Sequence, residues 1–161
     1  MKMRNAIMIV FCVSALTAGY AQTSDAEAEA IINLLGVQKK EVVAKLVSGS
    51  GKDSVAFWKI YDDYQKVNKA TAKSRIGLYE RTALAYSNMT APVADSLATK
   101  YFANRLEQGK ALETYYKKMK AATNPVIAFE FYQAEVYLLT LIRAQIMQQI
   151  PTYGQVKQSM K

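Results

Sequence analysis

The 161-residue chain has no histidine and a single cysteine, Cys12. The commonest general base, the commonest nucleophile and the soft metal ligands are therefore scarce or missing, which argues against catalysis and against zinc or copper chemistry. With three prolines and seven glycines, the chain has few points at which helices must stop. It lacks a Gly-rich phosphate loop: Gly49 and Gly51 follow no strand, and no Gly-Lys-Ser/Thr comes after them. Acid is also in short supply. Twenty-one basic and thirteen acidic residues give +8.

The N-terminus reads as a secretory signal peptide, residues 1–21. Lys2 and Arg4 form a positive start, and Ala6–Ala18 is an apolar run of 13 residues, short of the about 20 that a membrane span needs. Gly19 and Ala21 put small residues at −3 and −1 before Gln22. Removing this segment would remove Cys12, leaving no cysteine for a disulfide, and would take two positive charges, leaving +6. Export turns the basic balance away from nucleic acid and toward anionic polypeptides, lipid headgroups or envelope polymers. It implies a soluble periplasmic protein with no stable membrane insertion after processing.

Residues 22–151 read as one all-α domain of about four helices in elongated hairpins, two of them long. Ser24 with Glu27 suits a capping box, followed by Ile31, Ile32, Leu35, Val42, Val43 and Leu46. Gly36 is a point where this first helix could kink. Ser48-Gly49-Ser50-Gly51 reads as a linker. The second helix is expected from about Asp53 to Asn88, with Trp58, Tyr61, Asn68, Ala72, Ile76, Tyr79, Ala83 and Tyr86 on one stripe and Phe57 and Tyr64 beside it. Thr90 before Pro92 opens a third helix, to about Ala122, with Val93, Leu97, Tyr101, Leu112, Tyr115, Met119 and Ala122 inward. Asn124-Pro125 opens a fourth, ending near Gln149 before Pro151. That helix is apolar almost all round, so it is expected to be either the central helix of the bundle or a subunit interface, with Leu138 and Leu141 in the core. Residues 152–161 read as a flexible tail.

The candidate contact residues follow from charge and aromatic patterning. Lys66, Lys69 and Lys73 share one strip of helix, and Lys117 and Lys118 stand beside Lys120. Like charges at this spacing repel, and a partner bringing negative charge would relieve them. Tyr64, Phe102 and Leu106 lie beside these lysines, where they could supply apolar contact. Tyr116, Tyr132 and Tyr137 are also expected at the surface, while Tyr61, Tyr79, Tyr86, Tyr101 and Tyr115 read as core and groove lining. Adjacent carboxylates Asp62 and Asp63 diverge by about 100° on a helix and do not make a catalytic pair. Glu130, Glu135 and Arg143 fall in the most apolar helix and are expected to make structural polar contacts between helices.

Four segments resemble exported proteins of the Spy/CpxP type. Phe57-Trp58-Lys59-Ile60-Tyr61-Asp62-Asp63-Tyr64 is similar to an FWxxYxxY opening of a long helix, and Phe131-Tyr132-Gln133-Ala134-Glu135 to an F-[FY]-Q-x-E segment. Met89-Thr90-Ala91-Pro92-Val93 stands where that family carries LTxxQ, with Val93 for the glutamine and Met89 for the leucine. Arg143 through Ile150-Pro151 resembles the close of the last helix. The resemblance covers about residues 25–151. It implies helical hairpins, often paired as a homodimer in a curved cradle, that hold unfolded envelope proteins without ATP or act in envelope stress, with no cofactor. The alternative is a non-enzymatic structural subunit of an envelope complex with one dedicated partner.

Cleavage after Ala21 should leave Gln22, free or cyclised, at the mature N-terminus. Intact-mass measurement of protein recovered from the envelope checks this, and a mature chain retaining Met1 or Lys2 would contradict it.

Overall fold

The computed structural model describes residues 38–48 and 51–159. The signal-peptide reading, the Ser24–Glu27 capping box, Ile31, Ile32, Leu35, Gly36 and the Gly49-Ser50 part of the linker lie outside the described residues. Every described element is helical: α1 (38–46), α2 (Gly51–Ala85), a 3-10 turn (Tyr86–Asn88), α3 (Ala91–Ala122), α4 (Pro125–Gln149) and α5 (Tyr153–Ser159). The chain is all-α, and its two long helices have 35 and 32 residues.

Local chemistry sets the helix starts. The Thr90 side chain accepts from the Val93 N–H, and Asn124 accepts from the Val126 and Ile127 N–H groups at 2.9 and 3.0 Å. These caps satisfy first-turn donors that have no partner inside the helix. Pro92 and Pro125 occupy first-turn positions, where a missing N–H costs nothing.

At ~1.5 Å per residue, α2 is about 52 Å long, and α3 runs back along it. Tyr64 lies against Tyr115, Arg75 against Asn104 and Thr82 against Tyr101. The α2 seam is Phe57, Tyr61, Tyr64, Asn68, Thr71, Arg75 and Leu78, in steps of four and three. All but the partly exposed Arg75 are buried. This corrects the expected stripe, which ran through Trp58, Ala72 and Ile76. Adjacent residues on a helix point about 100° apart, and Phe131 of α4 closes on Phe57, Tyr61 and Tyr64, so the buried seam runs one residue away from that stripe. Trp58, Ala72 and Ile76 stand partly buried on its shoulder. On α3 the seam is Leu97, Tyr101, Asn104, Gln108, Leu112, Tyr115 and Met119. Asn104 and Gln108 fill the gap in the expected apolar stripe.

The main core gathers at one end. Val43 and Val47 of the first segment, Phe57, Tyr61 and Tyr64 of α2, Leu112 and Met119 of α3, and Ile127, Phe131 and Leu138 of α4 form a single apolar cluster. Phe131 meets Phe57, Tyr61 and Tyr64 edge-on, with ring centroids 6.4, 6.4 and 5.4 Å away. α4 is not the buried central helix. It packs one face inward, through Ile127, Ala128, Phe131, Ala134, Glu135 and Leu138, and leaves the opposite face in solvent. Leu141 is 41% exposed, which removes it from the expected core. The stretch Pro125–Ser159 is long and apolar enough, by length and composition alone, to cross a membrane.

The C-terminal segment is more ordered in form than a flexible tail. It makes the helix α5, whose Tyr153 ring lies tilted against Tyr86 with centroids 5.6 Å apart, while the Tyr86 hydroxyl donates to the Pro151 carbonyl at 2.7 Å.

Leu138→Ala, at a site 3% exposed, should cost about 2–5 kcal/mol of stability, and Leu141→Ala about 1 kcal/mol or less. Urea denaturation of both variants checks this, and equal losses would show that the two faces of α4 have been misassigned.

Candidate functional site

An open depression lies along α3 where Val67 of α2 borders it. Its volume is about 600 Å³, and Val67, Ala103, Leu106, Ala111 and Tyr115 line it with Glu107, Lys110, Thr114 and Lys118. An apolar floor with two lysines and one glutamate beside it results. Lys118 Nζ stands over the Tyr115 ring, 4.4 Å from its centroid, so the cation and the aromatic face work as one surface. Leu106 is 59% exposed and Phe102, one residue from Ala103, is 72% exposed.

The sequence candidates divide on the structure. Leu106 and Lys118 come together in the groove, with Phe102 near them in sequence on α3. Tyr64 does not reach the surface. It is fully buried, because the α2 seam passes through it and packs its ring against Tyr115 and Phe131. Nor is the lysine strip of α2 uncompensated: exposed Lys66 pairs with Asp63 at 2.7 Å, three residues back, and Lys69 and Lys73 are also engaged. The Lys66 partnership holds the Asp63 carboxyl below its ordinary range. Lys117 is paired with Glu113, four residues back. Sequence reasoning missed Val67, Lys110 and the exposed edge of Tyr115. Leu106, Lys110, Thr114 and Lys118 recur every four residues on α3, and that spacing was the available signal.

A second constellation is buried. Lys39 Nζ donates to Glu135 Oε2 at 2.5 Å, with the two side chains 4% and 0% exposed. Gln65 lies 3.4 Å from both partners. Burial pushes the Lys39 ammonium below the ordinary lysine range, and the Glu135 carboxylate pulls it back up. The nearby Tyr61 and Tyr64 hydroxyls are buried without a hydrogen-bond partner, and burial, reinforced by the Glu135 charge, raises both phenols. The cluster pins α1 across α2 and α4. Glu130 pins the other end of the same segment, accepting from the Ser48 N–H at 2.8 Å and the Ser48 hydroxyl at 2.7 Å. Ser48 is therefore an anchor rather than part of a free linker. Arg143, partly buried, donates to neutral Gln108 at 2.9 Å, and desolvation lowers its pKa. Glu135 and Arg143 thus join α4 to other helices, and Glu130 joins it to the segment after α1. Among the described residues no group of three or more histidine, cysteine, aspartate or glutamate side chains gathers as a metal site would.

No protein-family model, curated protein or solved structure matches this chain.

Glu135→Ala would leave the Lys39 ammonium buried without its counter-ion and should destabilise the protein by about 3–5 kcal/mol. Replacing both partners, Lys39→Met with Glu135→Leu, should recover most of that loss, because neither desolvation cost remains. Denaturant midpoints of the single and double variants measure the difference. A double variant no more stable than Glu135→Ala would mean that the ion pair itself is a strong net stabiliser.

Proposed function

We propose that this protein binds other polypeptides in unfolded or extended form along the α2–α3 groove and slows their aggregation without nucleotide. The observation that carries the reading is the groove itself, a shallow, open surface with an apolar floor at Val67, Leu106 and Tyr115, where Lys110 and Lys118 outnumber Glu107. An unfolded chain offers short apolar stretches separated by charge, and this surface has a counterpart for each. Lysines attract acidic segments over about a Debye length, ~10 Å at 0.1 M salt. Leu106 and Phe102 then make short-range contact that adds little affinity per residue, so the client can leave and fold. The N-terminal export pattern supports placing this activity in the periplasm, as does the resemblance to Spy/CpxP-type proteins, which extends the reading to envelope stress.

A second reading, a structural subunit with one dedicated envelope partner, draws support from the apolar outer face of α4, since monomers rarely leave a large contiguous apolar patch uncovered.

Light scattering of a thermally unfolding client decides between them. The protein should suppress scattering at low salt and less well at 0.5 M salt (about 4 Å Debye length), and Leu106→Asp or Lys110→Glu with Lys118→Glu should abolish most of the effect. No suppression by the wild type at any salt concentration, with a single partner retained on purification, would overturn the chaperone reading in favour of the structural one.

A further inference from the structure

Three arginines come together where α2, α3 and α4 meet beyond the aromatic core, and none pairs with a carboxylate among the described residues. Arg75 of α2 donates through Nε to Asn104 Oδ1 at 2.5 Å, and Arg143 of α4 donates through Nη2 to Gln108 Oε1 at 2.9 Å. Asn104 and Gln108 are four residues apart on α3, so the two guanidinium groups are held at consecutive turns of one helix face. Arg105 lies about 60° around α3 from Gln108 and is exposed.

The amides orient these cations without neutralising them. Asn104 is itself fixed, its Nδ2 donating to the Thr71 carbonyl at 3.0 Å, and the Tyr101 ring centroid lies 5.8 Å from the Arg75 guanidinium. The nearest acids in sequence are turned away or engaged. Glu80 is about 140° around α2 from Arg75, and Glu107 about 160° around α3 from Arg105, on the side of the groove. Glu135 is taken by Lys39. Like charges gathered without acid repel one another: burial, with the Arg75 and Arg105 charges, holds the Arg143 guanidinium below its ordinary range. Arg75 Nη2 is buried with no hydrogen-bond partner. Amides or aliphatic side chains at these positions would join the helices with neither the repulsion nor the unmet donor.

We infer that Arg75, Arg105 and Arg143 form a binding site for a phosphate group, as the free ion or as a phosphate monoester. A guanidinium presents paired N–H donors that match phosphate oxygens two at a time. A phosphate monoester carries about −1.5 to −2 at pH 7, which offsets most of three positive charges, whereas a carboxylate leaves most of the repulsion in place. Arg75 Nη2 supplies the buried donor, partly buried Arg143 the second, and exposed Arg105 the entrance. The site is separate from the polypeptide groove, because Arg105 and Thr114 point about 180° apart around α3.

Titration calorimetry of the full chain at fixed ionic strength tests this, with inorganic phosphate, glycerol 3-phosphate and acetate as probes. Inorganic phosphate should bind once per chain, with a Kd of about 1 mM or tighter. Arg143→Gln and Arg105→Gln should each weaken it about tenfold or more. Arg75→Lys keeps the charge but loses the paired donors, and should weaken it as well. Arg105 is exposed, so its variant keeps the test open where a replacement of Arg75 or Arg143 fails to fold. Glycerol 3-phosphate binding at least as tightly as the free ion would assign the site to a monoester, and weaker binding would assign it to the ion; either order supports the inference. No binding of either phosphate, acetate bound as tightly as phosphate, or phosphate affinity unchanged in a folded Arg105→Gln would overturn it.

Discussion

Phe131 is the contact on which the rest of the molecule depends. It is fully buried, and three rings of α2 close on it edge-first. Edge-to-face rings at these separations gain about 0.5–1.5 kcal/mol per pair beyond the area they bury. The geometry also suits the distance, since rings reach farther than aliphatic side chains and bridge helices that both pack against α3. Once α2 and α4 are joined there, α3 is held between their connections and the two valines of the first segment, Val43 and Val47, close the top. The core concentrates at this end. Toward the α2–α3 turn the seam becomes polar: Asn104 bonds to the Thr71 carbonyl and to Arg75, and Thr82 bonds to Tyr101.

That division separates strength from register. An aromatic core tolerates small slides, because apolar contact is non-directional. The polar seam does not. Moving α3 by one turn would take Asn104 away from both of its α2 partners, leaving a buried amide and a partly buried guanidinium to bear desolvation unpaid by hydrogen bonds. The Lys39–Glu135 pair does for α1 what Asn104 does for α3. A buried ion pair generally contributes less on balance than it costs to break, so its main effect is to allow α1 one position.

The legible parts of the fold were those written in short-range chemistry. Thr90-Pro92 and Asn124-Pro125 mark the starts of α3 and α4 within the sequence itself, and Pro151 marks an end, so these helix boundaries could be read almost to the residue. The α2 seam could not, because it depends on where the rings of other helices arrive: Phe131 closes on Phe57, Tyr61 and Tyr64 and Tyr115 on Tyr64, which shifts contact from Trp58 and Ile76 to Phe57, Tyr64 and Leu78. The same shift moved Tyr64 from surface candidate to core. Lys39 was invisible for a different reason: nothing near it in sequence announces a carboxylate 96 residues away. For α4, composition showed that the helix is apolar on all sides but could not show which side its own chain covers. The lysine faces misled because Asp63 and Glu113 sit within one turn of Lys66 and Lys117, and the count of charge along the chain outweighed local pairing.

The two surfaces that remain are separated by α3. Tyr116 turns toward α4, meeting Tyr132 at 6.4 Å. Lys110 and Thr114 turn the other way, into the groove. At 100° per residue, Thr114 and Tyr116 point about 160° apart around the α3 axis. The groove and the outer face of α4 therefore cannot be covered by one partner of ordinary size lying on one side. Whatever covers the α4 face leaves the groove open, so occupancy of one surface does not compete with occupancy of the other. A chain held in the groove by weak contacts can leave and fold while α4 stays covered.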